Sequence, residues 1–126
     1  MIKLDGQPNV INKLVGIAKS LCNEGEAGMG LFARREIAEN KVICPIGGET
    51  CNENIANTSA YVIRVAANTF IDLAGKNAGY AAYVNDPLNP LLENCVIRWD
   101  ETRNTYCLVA NKDIEPCDEI LFNYGD

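Results

Sequence analysis

The chain has 126 residues, 11 Lys+Arg against 17 Asp+Glu, a net charge of −6, and no histidine. This length predicts one compact domain, and 48% apolar residues against 22% charged ones are enough to bury a core. The missing histidine excludes Ser-His-Asp hydrolysis, Cys-His peptidase chemistry, His-ligated haem and Cys₂His₂ zinc, and the acidic balance argues against a general nucleic-acid binder with its basic stripe.

In chain order, Met1–Val10 holds Lys3, Asp5, Gly6 and Pro8 and no apolar run, so it does not read as a secretory leader. Lys13–Ala18 reads as a strand, followed by short strands at Gly28–Ala33 and Lys41–Ile46 and a turn at Gly47-Gly48. Ala60–Val65 and Thr69–Leu73 are rich in β-branched and aromatic residues and predict a hairpin around Ala67-Asn68. Ala78–Val84 is the one stretch that looks like a helical turn. Asn94–Trp99 and Thr105–Ala110 predict a second hairpin turning within Asp100–Asn104, and Glu119–Phe122 a last short strand. Short strands at close spacing predict a mainly β domain of small sheets with little α structure. No βαβ spacing and no run long enough to span a membrane occurs.

The six cysteines are Cys22, Cys44, Cys51, Cys95, Cys107 and Cys117. None falls in a CxxC pair, so metal binding is not expected. Several lie within apolar stretches and read as buried free thiols of a reducing compartment. Trp99 reads as a packing residue of its hairpin. Asp118 and Glu119 read as a fold-stabilising acidic pair near a turn.

Three segments have chemical content. Gly25–Ala33 is a glycine-rich loop running into an apolar strand, where glycines let a ligand approach the backbone closely. It lacks the Lys-Ser/Thr of a phosphate loop. Asn85-Asp86-Pro87 closes the apolar stretch Tyr80–Val84, with Asn94-Cys95 shortly after. Ala110–Asp126 carries an acidic pair and ends in Tyr124-Gly125.

Taken in this order the segments resemble the SET-domain protein lysine methyltransferases. Gly28-Met29-Gly30-Leu31-Phe32-Ala33, after the strand end Lys19-Ser20, looks like the family's GxGLFA segment. Tyr83-Val84-Asn85-Asp86 with Asn94-Cys95 looks like its FINH…PNC segment, and Ala110–Tyr124 like its C-terminal ending. Tyr61-Val62-Ile63 and Phe70-Ile71-Asp72 sit where the family has two further strands. Asp86 replaces the family's histidine, Ala82 its arginine and Cys117 its glycine, so the turn at Cys117 cannot rely on glycine's free access to φ > 0.

The resemblance implies a single minimal SET domain over residues 1–126, with an N-terminal strand region 1–20 and a core 21–126. Its fold would be a β-clip of small twisted sheets with a pseudoknot-like threading of the C-terminal segment. It implies an S-adenosylmethionine-dependent protein-lysine N-methyltransferase. Gly28, Met29, Gly30, Leu31, Asn85 and Asp86 would hold the cofactor, Tyr124 and Tyr61 would be catalytic, and Phe122 with Tyr61 would line the lysine channel. A phenylalanine at Phe122 implies methylation beyond one methyl group. The implied partner is a protein with a target lysine, a histone tail foremost, and the resemblance allows a homodimer. Neither a metal, nor nucleic acid, nor a membrane is implied. The implied location is intracellular: the nucleus for a histone substrate, the cytoplasm otherwise. The alternative is a catalytically inactive SET-fold module that binds a basic peptide or partner protein.

Overall fold

The computed structural model describes residues 13–21, 28–47, 50–51, 62–72 and 79–123. Among these, the strands are β1 (Val15–Lys19), β2 (Met29–Ala33), β3 (Val42–Pro45), β4 (Thr50–Cys51), β5 (Val62–Ala66), β6 (Thr69–Asp72), β7 (Cys95–Asp100) and β8 (Thr105–Ala110). They form three small antiparallel sheets in the orders β1-β2, β3-β8-β7 and β4-β6-β5. The helical elements are two 3₁₀ turns, Gly79–Tyr83 and Pro90–Leu92.

β1 and β2 pair from Val15↔Ala33 to Lys19↔Met29. Val15 to Ala18 are all buried, because protein covers both faces of the ribbon. β5 and β6 turn at Ala67-Asn68 as the sequence predicts, with Asn68 at φ 58, a conformation asparagine tolerates. β7 and β8 turn over residues 101–104. There the Asp100 carboxylate accepts from the Arg103 amide at 3.1 Å and from its guanidinium at 2.7 Å. These Arg103 hydrogen bonds hold the Asp100 carboxyl below its usual range. Trp99 meets Tyr106 edge to face with centroids 5.0 Å apart, a packing contact across the hairpin. β3 is an edge strand, which lets exposed Pro45 sit in it.

Four elements differ from the sequence reading. The helical turn is a 3₁₀ turn that starts at Gly79 (φ 68) and buries Tyr80 and Ala81. The turn at Pro90–Leu92 was not predicted; the Asn89 side chain caps it by accepting from Leu91 N at 3.0 Å. The short β4 was also unpredicted. Glu119–Phe122 is not a strand: Glu119 makes a single antiparallel bridge with Phe32, and Leu121 a single parallel bridge with Asn85. Successive residues find different partners on opposite sides, so no ladder repeats.

That alternation is the threading. On one side Ala33 N donates to Asp118 O at 2.9 Å and Ile120 N to Leu31 O at 2.7 Å. On the other, Asn94 N donates to Leu121 O at 3.1 Å and Phe122 N to Asn85 O at 3.0 Å. The C-terminal segment thus runs between β2 and both ends of the 85–94 loop. Ile120 and Ile114 from this segment join Leu31, Ile37, Leu108 and Tyr80 in one shared core.

Cys117 corrects an expectation. It lies at φ 71, the left-handed conformation that glycine adopts without strain. Glu115, Pro116, Cys117 and Asp118 form a tight turn closed by Asp118 N donating to Glu115 O at 3.1 Å. Proline at the second position and positive φ at the third define a type II turn. Cys117 N is also held by Ala33 O at 2.8 Å, so the surroundings impose the strain. The residue is exposed, whereas Cys44, Cys95 and Cys107 are free and buried as expected. Cys22 lies outside the described residues.

A left-handed conformation costs a non-glycine residue about 1–2 kcal/mol, offset in part by glycine's greater loss of backbone entropy. Cys117→Gly is therefore expected to stabilise the fold by up to about 1 kcal/mol in denaturant unfolding; a destabilised variant would show that the thiol makes a compensating contact. Cys44 gives a second test. Burial, then the neighbouring Cys107, pushes its thiol up from 9.0 to about 12. The folded protein keeps a proton that the unfolded chain releases near 9.0, so stability present below that pH declines as pH rises towards about 12. Denaturant midpoints taken below and above 9.0 should fall on the alkaline side, and Cys44→Ala should flatten the decline.

Candidate functional site

The glycine loop, the Asn85 segment and the C-terminal segment meet at one buried carboxylate. Glu119, 7% exposed, receives the Ser20 hydroxyl on Oε2 at 2.7 Å and the Leu21 amide on Oε1 at 2.8 Å. The Asn85 side-chain amide donates to the same Oε2 at 3.1 Å and to Met29 O at 3.0 Å. Three neutral donors from two distant parts of the chain bond this buried acid, as a buried polar group requires.

The local backbone explains why these residues are needed. Gly28 lies at φ 82, where its carbonyl accepts from Ser20 N at 2.7 Å and so closes the end of β1 against β2. Among the described residues, its chain neighbours aside, no atom lies within 4 Å of where its Cβ would be. Gly30 is different: a Cβ there would sit 2.5 Å from Glu119 Oε2 and 3.2 Å from Ser20 Cβ. The space a Gly30 side chain would need is taken by the Glu119 carboxylate.

Asn94 ties down the other side of the threaded segment. Its Oδ1 accepts from Leu121 N at 2.9 Å and its Nδ2 donates to Glu119 O at 2.8 Å. Its own side chain thereby completes the bonding of backbone that no regular ladder serves.

The sequence-derived site residues are placed as follows. Gly28, Met29, Gly30 and Asn85 come together through the Asn85 amide. Leu31 is fully buried and its carbonyl accepts from Ile120 N, so its side chain belongs to the core. Asp86 continues from Asn85, and its carboxylate accepts from Leu88 N at 2.8 Å. Phe122 is half-buried against the core, with its amide on Asn85 O. Tyr61 and Tyr124 lie outside the described residues. A cavity of about 410 Å³ is lined by Leu21, Pro87, Leu92, Asn94, Asp118, Glu119 and Leu121, next to this cluster and sharing Glu119 with it.

Sequence reasoning missed Ser20 and the central part played by Glu119. It treated Asp118 and Glu119 as a pair, but adjacent residues of extended chain point apart. The Asp118 carboxylate accepts from Glu115 N at 3.1 Å in the exposed turn, while Glu119 points inward. The usable signal was the glycine at Gly30, a position in β2 that calls for a close neighbour.

The comparisons with known proteins agree with this geometry. The SET domain family model matches residues 28–125, and the chain belongs to the SET-domain family. No curated relative matches the chain. Among solved structures, the Chaetomium thermophilum polycomb repressive complex 2 superposes with a TM-score of 0.70 at 22% identity, over 91% of this chain and 16% of that one. An active polycomb repressive complex 2 in the stimulated state gives 0.69 at 23% identity, over 91% and 15%. The complex in an autoinhibited conformation, bound to S-adenosylmethionine, gives 0.69 at 23% identity, over the same shares. The mainly β architecture is thus the SET fold, and the chain spans about 15–16% of the length of these chains.

The carboxylate cluster can be tested by substitution. Glu119→Ala removes an acceptor that serves three buried or half-buried donors and is expected to destabilise by roughly 3 kcal/mol or more. Glu119→Gln keeps the volume and should lose less. Gly30→Ala should also destabilise, and far less so in a Glu119→Ala background, because the Cβ then has room. Chemical denaturation of the two single variants and the double variant measures this coupling; simple additivity would contradict it.

Proposed function

We propose that this chain is an S-adenosylmethionine-dependent protein-lysine N-methyltransferase acting on a basic, extended protein segment, with a histone tail as the leading substrate class. The observation that carries this reading is the Asn85 amide bonded to Met29 O. It joins two motif segments 56 residues apart into one surface.

The residues fit the cofactor. Among the described residues nothing beyond its chain neighbours crowds the missing Cβ of Gly28, and Met29 beside it is 45% exposed. The Gly28–Gly30 loop and the Asn85-Asp86 segment would hold it, through backbone groups that glycine leaves accessible. When bound, S-adenosylmethionine supplies an electrophilic methyl group on a sulfonium.

The chain's own residues would prepare the lysine. A free lysine amine has a pKa near ~10.4 and must lose its proton before it can attack. A channel walled by Phe122 and Tyr61 would disfavour the ammonium form by excluding water. The bond from Phe122 N to Asn85 O supports this reading, since it ties Phe122 to the Asn85 segment. The Tyr124 hydroxyl would orient the amine, and such alignment can supply ~7–11 kcal/mol of the barrier reduction. The substrate segment would add along a strand edge. A histone substrate would place the protein at chromatin in the nucleus, and another substrate in the cytoplasm.

S-adenosylhomocysteine at a hundredfold excess over Kd is expected to stabilise the fold by about 2.7 kcal/mol. An unchanged thermal midpoint at saturating ligand would remove the cofactor from this reading. Tyr124→Phe should keep that stabilisation but lower methyl transfer to a histone peptide on the order of a hundredfold, the loss typical of one well-placed hydrogen-bonding group. Intact-mass analysis of the peptide reads the transfer, and turnover near wild type would take Tyr124 out of the mechanism.

A further inference from the structure

The loop between Asp86 and Glu93 presents its apolar side chains outward. Leu88 is 83% exposed, Leu91 84% and Leu92 55%, and Leu21 at the end of β1 is 67% exposed. Leu92 and Leu21 share the wall of the 410 Å³ cavity with Pro87 and Leu121. The apolar surface is therefore one neighbourhood: a cavity lip and the loop that rises from it.

This loop is held rigid. Leu88 N is bonded to the Asp86 carboxylate at 2.8 Å, Leu91 N to Asn89 Oδ1 at 3.0 Å, and Leu92 N to Asn89 O at 2.9 Å. Pro87 and Pro90 restrict it further. Leu88 sits at φ 60, a strained conformation for a branched-chain residue, and still turns its side chain to water. Strain and exposed leucines maintained on a pre-organised loop have no benefit to the isolated fold. They lower the ordering cost of binding something that covers them.

The charge around the patch selects the occupant. Asp86 and Glu93 flank the loop, and the exposed Asp118 lines the cavity. No Lys or Arg occurs between Lys76 and Arg98; the nearest to Leu21 along the chain is Lys19. A second copy of the chain would bring these carboxylates against their like. We propose that this face docks a partner-protein segment whose apolar side chains cover Leu21, Leu88, Leu91 and Leu92 while flanking lysines or arginines meet the acidic rim. The proposal stands on exposure and charge, whether or not the chain transfers methyl groups.

A fluorescein-labelled amphipathic peptide of leucine and lysine, titrated with the full chain and followed by anisotropy, provides the test. Two control peptides replace its lysines by glutamate or its leucines by serine. Leu91→Ser and Leu88→Gly remove exposed side chains, and the second also relieves the positive φ, so both should fold; thermal melts verify this. Binding of the leucine–lysine peptide, weakened about tenfold or more by either control and by each variant, is the expected result. Absence of binding, affinity unchanged in both variants, or equal affinity for the glutamate peptide would overturn the proposal. So would wild-type self-association in sedimentation that Leu91→Ser abolishes, since a second copy would then be the occupant.

Discussion

One buried carboxylate sets the relation between the two ends of this domain. Glu119 accepts from Ser20, Leu21 and Asn85, and so joins the exit of β1 to the start of the 85–94 loop, whose Asn85 amide in turn reaches Met29 O in the glycine loop. An unsatisfied buried acid is far costlier than any single bond it makes is worth. The three donors must therefore arrive together, and the geometry of the glycine loop follows from theirs. Gly30 is the complementary constraint, since the carboxylate occupies the volume a side chain would need.

Around this point the architecture is one of mutual dependence. The sheets have two or three strands each, which is marginal for independent stability. The threaded C-terminal segment compensates by bonding to β2 on one side and to Asn85 and Asn94 on the other, and by placing Ile114 and Ile120 in the common core. Asparagine suits both loop positions because its side chain can donate and accept at once. Asn94 does both towards the same segment, and Asn85 donates twice while its backbone oxygen accepts.

Much of this was legible where the determinants are local. The β5–β6 and β7–β8 hairpins follow from β-branched runs around Ala67-Asn68 and the polar 101–104 turn. The glycine loop, Asn85 and Asn94 were legible through family resemblance, and the structure brings them together. The failures share a cause. Glu119–Phe122 has a strand's composition, but bridging partners alternate from side to side, which no property of the segment itself encodes. Cys117 takes a glycine conformation because Pro116, Glu115 and Ala33 leave the turn no other geometry. The division of Asp118 from Glu119 depends on which one meets Ser20, a residue 99 positions from Glu119.

That 99-residue span also governs how the domain is made. Contacts between distant parts of a chain pay their loop-closure entropy before they return any stability, and they slow folding accordingly. On the ribosome, β1 and β2 are synthesised long before the segment that completes them. The apolar face of that ribbon must wait for Ile120, and Ser20 and Asn85 for their acceptor. During this interval the nascent chain exposes surface of the kind that chaperones bind, and the native state forms only once the segment around Ile120 has threaded into place.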